Sequence, residues 1–135
     1  MEIREYTAYR ESEIMNLYRD AGWTAYTNDP ESLRRGFEAS LVTYAAYAGE
    51  ELAGILRAVG DGSTVVFIQD ILVLSRYRRK GIGTALVRAV LERFPNVRQI
   101  QLTADDTPGA RAFYASLGFR ELSRIGCTGF IRMGN

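Results

Sequence analysis

The chain has 135 residues, of which 47% are hydrophobic and 24% charged, and this is enough apolar content for one folded domain with a single core. Its 17 basic residues are balanced by 16 acidic ones, and this near-neutral charge argues against nucleic-acid binding through a general basic surface. The longest apolar run, residues 65–74, is interrupted by Gln69 and Asp70 and is too short to span a bilayer. No signal-peptide pattern opens the sequence and the single Cys127 can form no internal disulfide, so we expect a cytoplasmic protein.

The first half of the chain has the patterns of one strand, two helices and three further strands. Apolar residues spaced three and four apart predict a first helix that ends at Gly22. Asp29 and Pro30 are the cap and the first position of a second helix. The predicted elements are a strand at 3–6, helices before Gly22 and after Pro30, a hairpin of strands 42–48 and 52–59, and a strand at 64–74.

The second half continues this alternating series without a linker, a repeat or a low-complexity segment. A helix follows residues 78–84 and ends at Pro95, and alternating apolar residues predict a strand at 100–104. A helix at 108–117 is capped by Thr107 or Asp106, and strands are predicted at 119–122 and 128–133. The order is β-α-α-β-β-β-α-β-α-β-β, and we predict one domain over residues 1–135.

A glycine-rich cationic turn joins the predicted strand at 64–74 to the helix after it. Its residues are Arg78, Arg79, Lys80, Gly81, Ile82, Gly83 and Thr84. The first turn of a helix leaves backbone amides unpaired at its positive end, glycine lets an oxygen approach them closely, and the cations add charge-assisted hydrogen bonds. The turn therefore predicts a phosphate site, although a solvated basic turn that caps a helix has the same composition. The spacing of a Walker loop is absent, and Leu86 stands where a dinucleotide fingerprint needs Gly or Ala.

Two motifs resemble those of the GNAT superfamily, the acyl-CoA-dependent N-acyltransferases. Residues 78–83 have the form Arg-x-x-Gly-x-Gly, which resembles the pyrophosphate loop of this family. About thirty residues later, residues 110–119 resemble its A-x-x-x-Y-x-x-x-G-F motif. Residues 21–27 and 69–70 are similar to the corresponding segments of a compact bacterial subgroup of this family. Thr107 departs from the family pattern, because many members carry Asn at this position.

The resemblance implies an α/β (α+β) single-domain fold whose mixed central sheet has about six to seven strands and about four flanking helices. It implies acetyl-CoA as co-substrate, no metal, and direct attack by an amine in a ternary complex. The backbone amides of Leu72 and Val73 would hold the pantetheine arm, and residues 78–84 would hold the pyrophosphate. Tyr114 would contact the cofactor and protonate the departing thiolate, or else it simply packs its ring and hydrogen-bonds its hydroxyl.

The sequence contains no histidine, so the usual proton acceptor near neutral pH is missing. Asp70 is the best remaining carboxylate, because it interrupts a strand whose two faces are otherwise apolar. In a substrate pocket it would bind an ammonium or accept its proton through water; otherwise it is the structural partner of an arginine or a backbone amide. Trp23 and Tyr26 lie in the stretch that the resemblance places over the acceptor, or they plug the core. Without an activator, Cys127 is expected to be a small buried apolar residue.

Three functional hypotheses follow. The leading one is an N-acetyltransferase for a small-molecule amine, without nucleic-acid or membrane partners and without an identified acceptor. A second is a non-catalytic acyl-CoA-binding or sensing domain. A third is a nucleic-acid patch at residues 76–80, which the near-neutral charge disfavours. The resemblance also makes a homodimer possible, because C-terminal strands of this fold often pair between subunits.

Overall fold

The computed structural model of the protein describes residues 1–134. Its backbone separates into two compact units, Met1–Thr103 and a second that begins at Ala104. The first unit contains a five-stranded sheet with strand order β1-β2-β3-β4-β5. The strands are β1 (Glu2–Glu5), β2 (Val42–Ala48), β3 (Glu51–Gly60), β4 (Val65–Val73) and β5 (Gln99–Leu102). The predicted single domain over 1–135 stays a prediction.

The sheet is mixed, which confirms the predicted α/β class. Strands β1 to β4 pair as antiparallel neighbours, and β5 runs parallel to β4 after the crossover through the helix that follows the glycine-rich turn. All five strands lie within two residues of their predicted bounds, because alternating side chains and flanking turns mark them locally.

Helices cover both faces of this sheet. They are α1 (Glu11–Asp20), α2 (Thr24–Thr27), α3 (Pro30–Glu38) and α4 (Ile82–Arg93). Ile55 of β3 packs in a core cluster with residues of α1 and α3, whereas the neighbouring Gly54 faces α4. A Cβ added to Gly54 would meet Cγ2 of Ile82 at 3.1 Å, so the missing side chain lets the start of α4 lie close to the sheet.

The predicted start of α3 is confirmed in atomic detail. The side chain of Asp29 accepts a hydrogen bond from the backbone N–H of Ser32 at 3.2 Å, and Pro30 occupies the first helical position. On its inner side α3 buries Leu33 and Phe37 against α1. Helices α1 and α3 therefore pack against the sheet as one layer.

The second unit contains α5 (Pro108–Ser116) and a short 3-10 helix, Leu122–Ile125. Thr107 is the cap of α5, since its hydroxyl accepts a hydrogen bond from the N–H of Ala110 at 3.1 Å. Of the two caps that the sequence allowed, Thr107 is therefore the one used.

The two C-terminal strands predicted at 119–122 and 128–133 are wrong for the residues that the structure describes. Residues 119–121 lie in no helix or strand, Leu122 begins the 3-10 helix, and no strand forms over 128–133. The sheet of the described residues therefore has five strands, where about six to seven were expected. Alternating apolar residues form a strand only when a neighbour supplies the ladder hydrogen bonds. Without one, Phe130 and Ile131 are 93% and 83% exposed, and Cys127 is exposed rather than buried as expected.

Among the helices within residues 1–134, none combines the length and apolar character that crossing a membrane requires.

Gly60 is a position where the fold depends on the absence of a side chain. Its φ is +132°, and an added Cβ would collide with the carbonyl of Val65 in the next strand. We expect Gly60→Ala to lower the free energy of unfolding by roughly 3 kcal/mol, through backbone strain plus the clash. Gly49→Ala is the matched control, because Gly49 has φ of +63° with open space around it, and it should cost only about 1 kcal/mol. Equal losses in urea titrations of the two variants would contradict this account.

Candidate functional site

Strand β4 carries one extra residue in its middle. Arg57 of β3 is paired with Asp70, whereas the next residue, Ala58, is paired with Ile68, so Gln69 is left over as a β-bulge. The pairing of β4 with β5 ends at the same level, at Ile68. Beyond the bulge, the described residues give β4 a paired neighbour only on its β3 side.

The open side of β4 presents backbone amides of alternate residues. The N–H of Leu74 donates to the carbonyl of Ala53 next to β3 at 2.8 Å. Because the backbone groups of successive strand residues point to opposite edges, Leu72 also turns its N–H to β3, whereas Ile71 and Val73 turn theirs to the open side. Of the two amides expected to hold a bound ligand, those of Leu72 and Val73, only that of Val73 faces the open side. The alternation adds Ile71, which sequence reasoning missed because the direction of an amide depends on the pairing register.

The glycine-rich turn forms the N-terminus of α4. Gly81, with φ of 80°, is the residue before the helix and makes no side-chain cap, and Arg79 is also left-handed, with φ of 63°. The amides of Ile82, Gly83 and Thr84 therefore lie in the first helical turn without a capping side chain. Such a helix end attracts anions through its free N–H groups and its dipole.

Three cations stand at this helix end without an acidic partner in the described residues. Arg78, Arg79 and Lys80 are all exposed and take part in none of the ion pairs found within residues 1–134. The neighbouring Arg76 differs, because it pairs with Glu51. The seven predicted loop residues thus form a cationic turn at the N-terminus of α4, and its binding of a phosphate stays a prediction.

The side chain of Arg78 connects this anion site to the open edge of β4. Its Nε donates to the carbonyl oxygen of Val73 at 3.4 Å. In a strand, the carbonyl and the N–H of one residue point to the same edge. The contact with Arg78 therefore confirms that the backbone groups of Val73 face away from β3. A molecule with an anionic end and an amide-bearing arm could bind to both features at once.

Asp70 lies at the bulge, where it is 2% exposed. Its Oδ2 accepts hydrogen bonds from Nε of Arg57 at 3.0 Å, from Nη2 of Arg57 at 2.9 Å and from the hydroxyl of Tyr18 at 2.9 Å. Burial alone would lower the pKa of Arg57, but the charge and hydrogen bonds of Asp70 outweigh it and raise that pKa above its usual value. Of the two roles open for Asp70, this arrangement matches the partner of an arginine.

Trp23 and Tyr26 lie beside this ion pair. The hydroxyl of Tyr26 donates to Oδ1 of Asp70 at 3.5 Å and accepts from the side-chain amide of Gln69 at 3.4 Å. Ring centroids of Trp23 and Tyr26 are 5.9 Å apart; Tyr26 is half-buried against the core, while Trp23 is 36% exposed. The three residues predicted for the acceptor side therefore form one cluster.

Sequence reasoning missed two members of this cluster. By its spacing Tyr18 lies on the apolar, buried face of α1. Burial and then the charge of Asp70 raise the pKa of its phenol, so it remains a proton donor to the carboxylate. Arg57, as a charged residue inside an otherwise apolar strand, carried the only signal available in the sequence.

Tyr114 lies in α5 of the second unit. Its ring packs edge-on against Phe113 at 4.9 Å and Phe119 at 5.9 Å between centroids. Its hydroxyl has no hydrogen bond within the part of the chain that the structure describes, although packing alone predicted one. Burial and, to a smaller extent, Asp105 raise the pKa of this phenol above its ordinary value, so it holds its proton at neutral pH.

Comparisons with known proteins agree with these features. A model of the Acetyltransferase (GNAT) family matches residues 6–119. The structure of a GNAT-family acetyltransferase from Streptococcus pneumoniae TIGR4 is 36% identical and superimposes with a TM-score of 0.89, covering 98% of this chain and 97% of that one. The structure of AAC(6')-Iy in complex with the bisubstrate analogue CoA-S-monomethyl-acetylneamine has 24% identity and a TM-score of 0.74 over 99% and 98% of the two chains, a likeness of fold.

A mycothiol acetyltransferase of Kineococcus radiotolerans is 34% identical over 113 residues. The match covers 79% of this chain but only 37% of the relative's own length.

The anion site makes a prediction about coenzyme A thioesters. Arg78→Ala removes a cation that also contacts Val73, and Gly81→Glu adds a negative charge where the amides are free. Each should weaken acetyl-CoA binding about tenfold or more, as expected for a lost charge-assisted hydrogen bond. Isothermal titration calorimetry measures this directly.

Two control variants make the test specific. Gly81→Ala carries the same backbone strain without the charge and should bind acetyl-CoA more tightly than Gly81→Glu. Arg19→Ala removes an exposed arginine from α1 and should leave the affinity unchanged. Wild-type affinity in Arg78→Ala and Gly81→Glu would contradict the assignment of the loop.

Proposed function

The chain belongs to the Acetyltransferase (GNAT) family, and on that premise we propose that it transfers an acetyl group from acetyl-CoA to a primary amine of a small molecule. One observation carries the proposal. The cationic helix end and the open edge of β4 are joined by the contact between Arg78 and Val73, so two binding features for one extended ligand adjoin.

In this proposal the cofactor occupies both features. Its pyrophosphate binds to the first-turn amides of α4, with Arg78, Arg79 and Lys80 as counter-charges. Its pantetheine arm runs along β4 beyond the bulge, where the N–H groups of Ile71 and Val73 serve its amides as a neighbouring strand would. Acetyl-CoA is therefore the proposed co-substrate, and the absence of a metal stays a prediction.

The reaction proceeds by direct attack in a ternary complex. A neutral amine attacks the thioester carbonyl carbon, a C–N bond forms, and the carbonyl oxygen becomes an oxyanion that a backbone N–H at the open edge stabilises. The C–S bond then breaks, the nitrogen loses a proton, and the thiolate of coenzyme A gains one. By its place in the motif, Tyr114 is the proposed proton donor, and its raised pKa supports this because the phenol is protonated at neutral pH.

The acceptor side is proposed to be the cluster of Trp23, Tyr26 and Asp70. The exposed ring of Trp23 supports contact with an amine-bearing molecule. As a base, Asp70 would have to accept the proton on Oδ1 through water or Tyr26, since Oδ2 already accepts from Arg57 and Tyr18. The acceptor's identity is left open by these contacts, but small molecules are favoured by the relatives, which include a mycothiol acetyltransferase and an enzyme held with a CoA-acetylneamine conjugate.

One observation favours a second candidate, a non-catalytic acyl-CoA-binding domain. The best carboxylate at the bulge is engaged by Arg57, and the sequence holds no histidine. Such a domain would bind acetyl-CoA without consuming it.

The C-terminal segment supports a homodimer. Phe130, Ile131 and Met133 are 93%, 83% and 77% exposed, and burying them against a second copy would remove apolar surface from water. A cytoplasmic location and the absence of nucleic-acid partners stay predictions.

A screen of amines tests the proposed function. Purified protein is mixed with acetyl-CoA and amines of several classes, including aralkylamines, polyamines, aminoglycosides and peptide N-termini. We expect amine-dependent release of free coenzyme A thiol with at least one class, and acetyl-CoA without an amine is the control. Binding of acetyl-CoA in calorimetry without thiol release from any amine would favour the non-catalytic candidate.

With an active amine, Tyr114→Phe tests the proton donor. The change should lower kcat by about tenfold to a hundredfold and leave the affinity for acetyl-CoA nearly unchanged. In the wild type, activity should fall as the pH rises through the raised pKa of Tyr114, because only the protonated phenol donates; the variant should lack this alkaline fall. Tyr9→Phe is the control, since the Tyr9 hydroxyl is buried without a partner among the described residues. A kcat unchanged by Tyr114→Phe would contradict the role.

A further inference from the structure

We propose that Arg57 is a positioning residue, which acts through Asp70 to fix the register of β4 beyond its bulge. The inference rests on the proposed function, because the amides whose direction it fixes are the ones proposed to bind the thioester. Arg57 and Asp70 are direct cross-strand partners immediately after Gln69, the extra residue. Their ion pair therefore lies at the point where the two halves of β4 change register.

Register decides which amides are available for binding. The half of β4 before the bulge has the register in which Ile68 pairs with Ala58. The half after the bulge has the register in which Asp70 pairs with Arg57. If the second half slipped back by one residue, the bulge would vanish and every following residue would reverse its direction. The N–H groups of Ile71 and Val73 would then turn to β3, and that of Leu72 would turn to the open side.

The ion pair opposes this slip because a slipped strand would separate two buried charges. The side chains of Asp70 and Arg57 are only 1% and 8% exposed, and an unpaired charge at this depth is strongly unfavourable. A hydrophobic pair of similar size would give comparable stability but would accept a one-residue shift more readily. The ion pair therefore contributes mainly to geometry, as polar groups that fix register do in other folds.

Helix α3 holds the guanidinium in place from the other side. A Cβ added to Gly36 would lie 3.2 Å from Nη1 of Arg57, so only glycine leaves this space free. The ring of Phe37 lies 5.4 Å from the guanidinium carbon, and Nη1 donates to Oγ of Ser40 at 3.4 Å. These contacts from α3 and from Ser40 beyond its end hold the guanidinium in the position in which it pairs with Asp70.

Tyr18 completes the arrangement from α1. Its hydroxyl is a third donor to Oδ2 of Asp70, so this oxygen faces donors from two separate elements. Oδ1 makes only the longer contact with Tyr26. A carboxylate held in this way is suited to fixing a strand, and a carboxylate acting as base would need a free oxygen at the substrate.

Paired variants distinguish the positioning role from a base role of Asp70. Asp70→Asn should lower kcat about tenfold to a hundredfold, because small misplacements at a reacting centre have effects of this size. Its acetyl-CoA affinity should fall much less than kcat, because the loop at α4 is intact and only the contacts of β4 with the pantetheine arm are disturbed. Adding Arg57→Gln to Asp70→Asn lets the two side-chain amides hydrogen-bond across the strands, and the double variant should recover most of the lost kcat.

The base role makes the opposite prediction. No carboxylate is present in either the single or the double variant, so the double variant would be as inactive as Asp70→Asn, and the acidic limb of the pH profile would be lost in both. Either result would overturn the positioning role. Retention of the acidic limb together with recovery of kcat would support it.

Arg57→Lys provides a second route that keeps the buried charge and hence the fold. Lysine cannot reproduce the two contacts that Nε and Nη2 of Arg57 make with Oδ2 of Asp70, so we expect kcat to fall about tenfold with a smaller loss of acetyl-CoA affinity. Equal kcat in Arg57→Lys and the wild type would count against the inference.

Amide hydrogen exchange tests the inference without any substrate. In the native register Leu72 donates to β3, so slipping should accelerate its exchange in Arg57→Lys, whereas the amide of Ala45 in β2 serves as an unaffected control. If no amine is acetylated but Leu72 exchanges faster, the proposed function fails and the register role stands. Unchanged exchange at Leu72 would overturn the register role even in an active enzyme.

Discussion

Gln69 makes β4 one residue longer than the stretch of β3 with which it pairs, and most features of the candidate site follow from accommodating it. The pairing with β5 ends at the residue before it, so β4 continues with one edge open. Asp70, the residue after it, points into the interior and requires a counter-charge, which Arg57 supplies. The open edge, the buried ion pair and the aromatic cluster around it thus all adjoin this one inserted residue.

Charge is distributed very unevenly in a chain whose net charge is only +1. Arg57 is neutralised inside the protein, and Arg76 is paired at the surface, but the next three cations face solvent at a helix N-terminus. A local concentration of positive charge on free backbone amides selects a compact anion. The overall balance of charge, by contrast, predicts no extended basic surface for a polyanion.

The sequence predicted features that short-range rules determine. Asp29 with Pro30 marks a helix start through contacts within three residues, and the cationic turn is recognisable from seven consecutive residues. The bulge was not predictable, because register depends on which residues of two distant segments meet; for the same reason the partner of Asp70 could only be given as an unnamed arginine or amide. The prediction of two C-terminal strands was wrong for the same reason. Their alternation of apolar residues is local, but a strand also needs a neighbouring strand to pair with.

Gly54 relates the two halves of the proposed cofactor site. It is the cross-strand partner of Val73 at the open edge, and on its other side it touches Ile82 in the first turn of α4. A residue without a side chain therefore sets the distance between the anion-binding amides and the strand edge. If acetyl-CoA binds as proposed, this fixed distance requires its thioester to lie at a set length from its phosphates, so the site would select the acyl donor by the spacing of its parts as well as by their charge.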